Sequence, residues 1–179
     1  MAKDFSREYG TALYQLAVEE RASKEIFDDF QRVSEVFSQN PEFGRLLSNP
    51  RLSASERAET VGKVFDGKIN HSLLNALKIL AEKRRCDTVA KCCEIYKRLY
   101  CEDNGILPVT ATSAVELNDA QKKRLSARLR EKTGSEILLT CKVDPRCIGG
   151  IRLEYGGKRY DASVRGRLSD LARSIKNSD

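Results

Sequence analysis

The chain has 179 residues, of which 40% are hydrophobic and 32% are charged, a composition typical of a folded globular protein. No stretch approaches the roughly 20 apolar residues of a membrane-spanning helix, and the first residues lack the apolar core of a secretory signal. These features argue against a membrane-spanning or secreted protein. We expect the chain to stay in the cytosol unless a partner carries it to a membrane.

The net charge of +6 is unevenly distributed. Residues 1–105 hold 17 basic and 17 acidic side chains, whereas residues 106–179 hold 15 basic and 9 acidic ones. A basic half of this kind suits RNA, an anionic lipid or an acidic protein surface, and charge alone does not choose among them.

Residues 1–105 are patterned as six short helices, which predicts a helical bundle. The first helix carries one apolar stripe at helical spacing: Tyr9, Ala12, Leu13, Leu16 and Ala17. The next three helices are predicted to start near Ser23, at Pro41 and after the capping box of Ser53 and Glu56.

The fifth predicted helix runs from His71 to about Arg85, and Asn70 caps it. It is apolar nearly all round, so it lies in the centre of a bundle or is half covered by a partner. Its apolar residues include Leu77, Ile79 and Leu80. A sixth helix follows, with Asp87 as its cap, and ends at Asn104 and Gly105.

The pattern changes after Gly105, where we place a domain boundary between residues 1–105 and 106–179. The second part reads as a strand around Val109, a basic helix from Asp119 to about Thr133 capped by Asn118, and a strand from Ile137 to Val143. The fold class is therefore α+β, a six-helix bundle followed by a small α/β domain.

The last part of the chain predicts a β-hairpin and a terminal helix. A strand begins at Ile151, and Gly156 and Gly157 form a two-residue turn with positive φ angles. Asp161 or Ser163 then caps a helix whose apolar face includes Leu168 and Leu171.

The sequence predicts no catalytic, metal or cofactor site. Gly157-Lys158 is followed by Arg159 inside the hairpin, which does not fit a P-loop. His71 is the single histidine and lies far in sequence from Asp161 and Ser163. Six cysteines without C-x-x-C spacing read as buried thiols, with a metal or redox site as the alternative.

The whole chain resembles the delta subunit of bacterial F-type ATP synthase, whose mitochondrial counterpart is the oligomycin-sensitivity-conferring protein. The first helix resembles the family's Tyr-Ala-x-Ala-Leu-x-x-Leu-Ala, although Gly10 stands where alanine is usual. The fifth resembles Leu-x-x-Leu-Ala-Glu-x-x-Arg through Leu77, Leu80 and Arg85. The most specific match is C-terminal: Gly149, Gly150, Gly156, Asp161, Ser163, Leu168 and Leu171.

The resemblance implies a non-catalytic stator subunit that needs no cofactor. Its helical domain would bind the N-terminal segments of alpha subunits of the catalytic head, with beta subunits as a further candidate contact. Its C-terminal domain would bind the b subunits of the peripheral stalk. The complex would place it at the cytoplasmic face of the cell membrane, as a peripheral protein.

Two alternatives remain open at the level of residues. A groove for a helix of the alpha subunit would be lined by Tyr9, Ala12, Leu13, Leu77, Ile79 and Leu80, which otherwise are only bundle core. The basic helix, with Arg165 and Arg167, would meet acidic stalk residues or would simply be a solvated face.

A different function class, a cytosolic helical RNA-binding module with a basic C-terminal appendage, is the alternative for the whole chain. RNA binding favours basic residues clustered with exposed aromatics. The basic half has only Tyr155 and Tyr160 as aromatic residues, so we expect no nucleic-acid partner.

Overall fold

The computed structural model describes residues 5–164. It contains both α-helices and a β-sheet, which confirms the predicted α+β class. Six α-helices precede the sheet. They are α1 (Phe5–Glu19), α2 (Ser23–Gln39), α3 (Pro41–Leu47), α4 (Ala54–Phe65), α5 (His71–Glu82) and α6 (Val89–Asp103), with a 3₁₀ helix at Cys86–Thr88 before α6. The chain divides into two compact units, and Tyr100 ends unit 1 while Cys101 begins unit 2.

Local side-chain caps set several of the helix starts. The Ser53 side chain accepts the Glu56 N–H, and the Glu56 carboxylate accepts the Ser53 N–H, so the predicted capping box of α4 is present. These bonds to the Ser53 backbone and hydroxyl lower the pKa of the Glu56 carboxyl. The Asn70 side chain caps α5 by accepting the Ser72 N–H at 2.9 Å.

The predicted end of the fifth helix was wrong by three residues, since α5 ends at Glu82 and not near Arg85. Arg84 adopts a left-handed φ of 55°, and the Arg85 N–H donates to the Leu80 carbonyl at 2.8 Å. This is the Schellman turn that stops a helix, although glycine is the usual residue at its left-handed position.

Aromatic residues form the centre of unit 1. Tyr96 of α6 is fully buried and meets Tyr14 and Phe30 edge to face, at ring-centre distances of 5.2 and 5.9 Å. Its hydroxyl donates to the Ser23 carbonyl at 2.9 Å, so the buried polar atom is satisfied. Burial raises the pKa of Tyr96, which therefore stays neutral.

Gly10 explains how α1 approaches α6. A Cβ atom at Gly10 would lie 3.0 Å from the Cys92 carbonyl oxygen and 3.0 Å from Ile95. Gly10 is thus a point of close contact between these two helices.

Two buried charges hold the ends of α5. Asp29 of α2 is 4% exposed, and its carboxylate accepts the Asn70 N–H at 2.6 Å and forms an ion pair with Arg32. Arg57 of α4 is 3% exposed and donates to the carbonyls at the other end of α5.

The Arg57 guanidinium satisfies three carbonyls at once. It donates to Ala81 and Glu82 at 2.8 Å each, and to the Leu52 carbonyl in the loop before α4. The last carbonyls of a helix have no partner within the helix and carry its negative pole. A cation at the C-terminal end and a carboxylate at the N-terminal end therefore both match the dipole of α5.

Unit 2 is built on a four-stranded sheet in the order β2-β1-β3-β4. The strands are β1 (Ile106–Ser113), β2 (Glu136–Val143), β3 (Ile151–Tyr155) and β4 (Lys158–Asp161). β1 pairs with β2 in parallel and with β3 antiparallel. Pro108 precedes the stretch of β1 that β3 reaches, so its missing N–H interrupts no pairing there.

The helix α7 (Asp119–Thr133) connects β1 to β2 and contacts β2. Asn118 and Gln121 form a second capping box at its start, and Gly134 ends it with a left-handed φ of 69°. Leu129 is the buried residue of α7. Within residues 5–164, Val109, Ala111 and Cys147 are the other buried apolar residues that belong to the sheet and its loops in unit 2.

We expect Arg57→Met to destabilise unit 1 by about 2–4 kcal/mol. The substitution keeps an apolar side chain but removes three hydrogen bonds from a buried cation, to the carbonyls of Ala81, Glu82 and Leu52. Urea unfolding followed by far-ultraviolet circular dichroism measures the loss. The exposed Arg51→Met is the matched control and should change stability by less than about 0.5 kcal/mol; equal effects of the two substitutions would contradict the role of Arg57.

Candidate binding surfaces

The helices α1 and α5 lie side by side and run antiparallel. The Arg85 guanidinium, just after α5, stacks over the Phe5 ring at 3.9 Å at the start of α1. At the other end the Ser72 hydroxyl donates to the Glu20 carboxylate at 2.8 Å. Ala12 lies two turns after Phe5, and Ile79 lies a similar distance before Arg85, so these two residues are at about the same level.

Part of the predicted groove set is exposed on these two helices. Ala12 is exposed, Tyr9 is half-buried, and Ile79 is 42% exposed. Leu16, one turn after Ala12, is 40% exposed although the sequence placed it in the stripe with core residues. Phe5, Tyr9, Ala12 and Leu16 follow the 3–4-residue spacing of one helix face. The result is an apolar strip on α1 beside an exposed isoleucine on α5.

The other three predicted groove residues lie inside unit 1. Leu13 is 6% exposed, and Leu77 and Leu80 are each 2% exposed. In the free chain these side chains therefore pack within the unit. The predicted set therefore divides into residues that a partner can contact and residues that are buried inside unit 1.

The C-terminal glycine motif holds β3 against the end of β4. Gly150 has a φ of 77°, and a Cβ atom there would lie 2.5 Å from the Ala162 carbonyl oxygen. The Val164 N–H donates to the Gly149 carbonyl at 3.0 Å. Gly156 and Gly157 have φ angles of 55° and 72° in the turn between β3 and β4, with open space around each.

Asp161 and Ser163 form a local hydrogen-bonded turn. The Ser163 hydroxyl and N–H both donate to Asp161 Oδ1, at 2.6 and 3.0 Å. These bonds, the hydroxyl first, lower the pKa of the Asp161 carboxyl. The predicted terminal helix with Leu168 and Leu171, and also Arg165 and Arg167, lies outside the described residues.

The basic helix α7 exposes cations on both of its flanks. Its buried side is marked by Leu129, with Leu125 half-buried. At about 3.6 residues per turn, Lys123 and Arg130 lie on one side of that line and Arg128 and Lys132 on the other. The exposed surface of α7 is therefore positive whichever flank a partner approaches.

All six cysteines are free thiols, and all but Cys141 are buried. Burial, more than the nearby Asp87, raises the pKa of Cys86 to about 11, and burial likewise raises that of Cys93 to about 11. Such thiols are protonated at neutral pH and pack as small apolar groups. Within residues 5–164 no cluster of three potential ligands is placed to hold a metal ion.

None of the helices in the described part of the chain is long and apolar enough to cross a membrane.

The sequence does not predict the roles of Asp29 and Arg57. Each reads as an ordinary charged helix residue, and the only local signal is that Arg57 lies next to Ala58 and four residues before Val61, on the apolar side of its helix.

The chain therefore presents two surfaces of different chemistry, an apolar strip on the helical unit and a basic helix on the α+β unit. Comparison with known proteins gives the family. The family model "ATP synthase delta (OSCP) subunit" matches residues 5–175, and the chain belongs to that family.

Curated relatives match along nearly the whole chain. The ATP synthase subunit delta of Prochlorococcus marinus strain MIT 9301 is 33% identical over 93% of this chain and 93% of its own length. That of Halalkalibacterium halodurans is 30% identical over 93% of this chain and 92% of its own length. A chain in the cryo-EM structure of the Toxoplasma gondii mitochondrial ATP synthase hexamer has the same fold, with a TM-score of 0.75, 19% identity, and coverage of 97% of this chain and 98% of that one.

This membership decides between the two function classes that the sequence left open. The chain is a structural, non-catalytic subunit of the peripheral stalk of F-type ATP synthase, and not an RNA-binding module. It takes part in ATP synthesis as a peripheral member of that complex.

We expect Gly150→Ala to destabilise unit 2 by at least about 2 kcal/mol, because the added methyl group meets the Ala162 carbonyl and the positive φ disfavours alanine. Gly156→Ala is the matched control, since its φ is also positive but its surroundings are open. It should cost only about 1 kcal/mol. Hydrogen exchange of the β1 amides measures both losses, and a smaller effect at Gly150 than at Gly156 would contradict the close-packing argument.

Proposed function

We propose that unit 1 binds N-terminal segments of alpha subunits of the catalytic head and that unit 2 binds the ends of the peripheral-stalk b subunits. Beta subunits are a further candidate contact of unit 1. The two-unit chain would then join head to stalk and keep the head from turning while proton flow drives the rotor. In a bacterial cell this places the chain at the cytoplasmic face of the membrane, held there by the complex.

The observation that carries the head-binding part is the exposed apolar residues on two adjacent antiparallel helices. Ala12 and Leu16 of α1 lie beside Ile79 of α5, and each is exposed in the free chain. An amphipathic helix of a partner buries its apolar face in such a place, in the helix-in-groove mode. The small side chain of Ala12 lets a partner backbone come close.

The interior of the six-helix bundle supports this surface from below. Leu13 of α1 and Leu77 and Leu80 of α5 are buried and anchor the two helices in the interior of unit 1. The surface is therefore preorganised, which lowers the entropy that binding must overcome. Tyr9, on the same face of α1, is half-buried.

The stalk-binding part is supported by charge. All of the net positive charge of the chain lies in residues 106–179, and α7 exposes cations on both flanks. A positive surface selects an acidic partner and accelerates its association. The glycine motif, with Asp161 and Ser163, would shape the part of unit 2 that presents this surface.

We expect Ala12→Asp to weaken binding of a peptide from the N-terminal segment of the alpha chain by about tenfold or more, because the complex would bury an unpaired carboxylate. Isothermal titration with the full-length protein gives the dissociation constant. Val18→Asp is the matched control, since Val18 is 50% exposed on α1 but lies off the strip. Circular dichroism checks that both variants stay folded; unchanged binding by Ala12→Asp would refute the groove assignment.

We expect binding of a peptide from the C-terminal end of the stalk b protein to weaken several-fold when salt rises from about 50 to 300 mM, because ions screen exposed charges over roughly 10 Å. Binding of the alpha peptide to the same protein is the internal control. Its apolar contacts should make it much less sensitive to salt. Salt-insensitive binding of the stalk peptide would exclude charge as the basis of that contact.

A further inference from the structure

The two edges of the sheet in unit 2 are built differently. β4, at one edge, has four residues, Lys158-Arg-Tyr-Asp161, of which three are charged and all are exposed. Short and charged edge strands resist pairing with other chains. This edge is therefore protected.

The other edge, β2, lacks those protections. It has eight residues in regular register with β1, without a proline, and its charged residues are Glu136 and Lys142 near its ends. The uncharged stretch 137–141 is half-buried. Within residues 5–164 no strand pairs with the outer edge of β2. An edge strand directs alternate backbone N–H and C=O groups outward, where another strand can bond to them.

The surroundings of this edge are positive. α7 packs on β2, and it exposes Lys123 and Arg130 on one flank and Arg128 and Lys132 on the other. Lys142 adds an exposed cation on the strand itself. A strand added to β2 thus lies beside a cationic flank of α7, whichever flank overhangs the edge.

We propose that the outer edge of β2 binds an extended acidic segment of a partner chain, which joins the sheet as a fifth strand. Backbone hydrogen bonds to β2 hold the segment, and its acidic side chains meet α7 and Lys142. A second copy of this chain fits poorly. Antiparallel pairing of two β2 edges would place both α7 helices on the same face of the joined sheet, where their positive charges would repel each other. The proposal concerns a backbone edge and does not rest on the assignment of either unit to alpha or b subunits.

The test uses the full chain, labelled with ¹⁵N, and capped eight-residue peptides as probes. One peptide alternates valine and glutamate, a second alternates valine and lysine, and a third is the first with alternate backbone nitrogens methylated. We expect the valine–glutamate peptide to shift the amide signals of residues 136–143 and to slow their hydrogen exchange. We expect the lysine peptide to bind at least tenfold more weakly, and the methylated peptide to give no slowing.

A pair of variants separates this edge from general charge effects. Lys142→Glu, on β2, should weaken binding of the valine–glutamate peptide at least threefold. Lys158→Glu, an equal charge reversal on the protected edge β4, should leave it unchanged, and circular dichroism confirms that both variants fold. Binding without slower exchange in residues 136–143, equal binding of the lysine peptide, or a dimer in sedimentation analysis that the peptide does not dissociate would each overturn the proposal.

Discussion

The arrangement of unit 1 depends on two buried charges that meet the ends of α5. The Asp29 carboxylate accepts the backbone N–H of Asn70 at the start, and the Arg57 guanidinium donates to Ala81 and Glu82 at the end. A buried charge is costly without partners, but here each charge faces the helix pole of opposite sign and is hydrogen-bonded. These contacts connect α5 to α2 and α4, so three helices share one polar framework inside an apolar unit.

That framework determines where the exposed apolar strip lies. With α5 fixed at both ends, Leu77 and Leu80 face inward and Ile79 remains 42% exposed. The stacked Arg85 and Phe5 at one end hold α1 antiparallel beside it. The exposed apolar strip is thus a consequence of packing beneath it, and its residues do not need contacts of their own to stay in place.

Much of the fold was predictable because its signals are local. Ser53, Asn70 and Asn118 cap their helices with side-chain bonds to residues two or three positions away, and such bonds are visible as short sequence patterns. The left-handed Gly134 likewise ends α7 as its position indicates. The α+β class followed from the change in hydrophobic period after Gly105.

The remainder could not be predicted because it depends on contacts between distant residues. Asp29 reaches Asn70 across 41 positions, and Arg57 reaches Ala81 across 24, and nothing in their neighbourhoods marks these pairings. The 3.6-residue period placed Leu13 and Leu16 in one stripe, yet packing buries the first and leaves the second 40% exposed. Periodicity identifies an apolar face, whereas the neighbouring helices decide which part of it is covered.

The polar ties of α5 also have a mechanical meaning for a protein that resists torque. A helix fastened at both ends to its neighbours cannot slide along its axis without separating Asp29 from Asn70 or Arg57 from Ala81. A pull applied at Ile79 is therefore passed into α2 and α4 as shear on short hydrogen bonds, and it does not unwind α5 from one end. Unit 1 would behave as a stiff coupling under load, with its compliance left to the segments outside this framework.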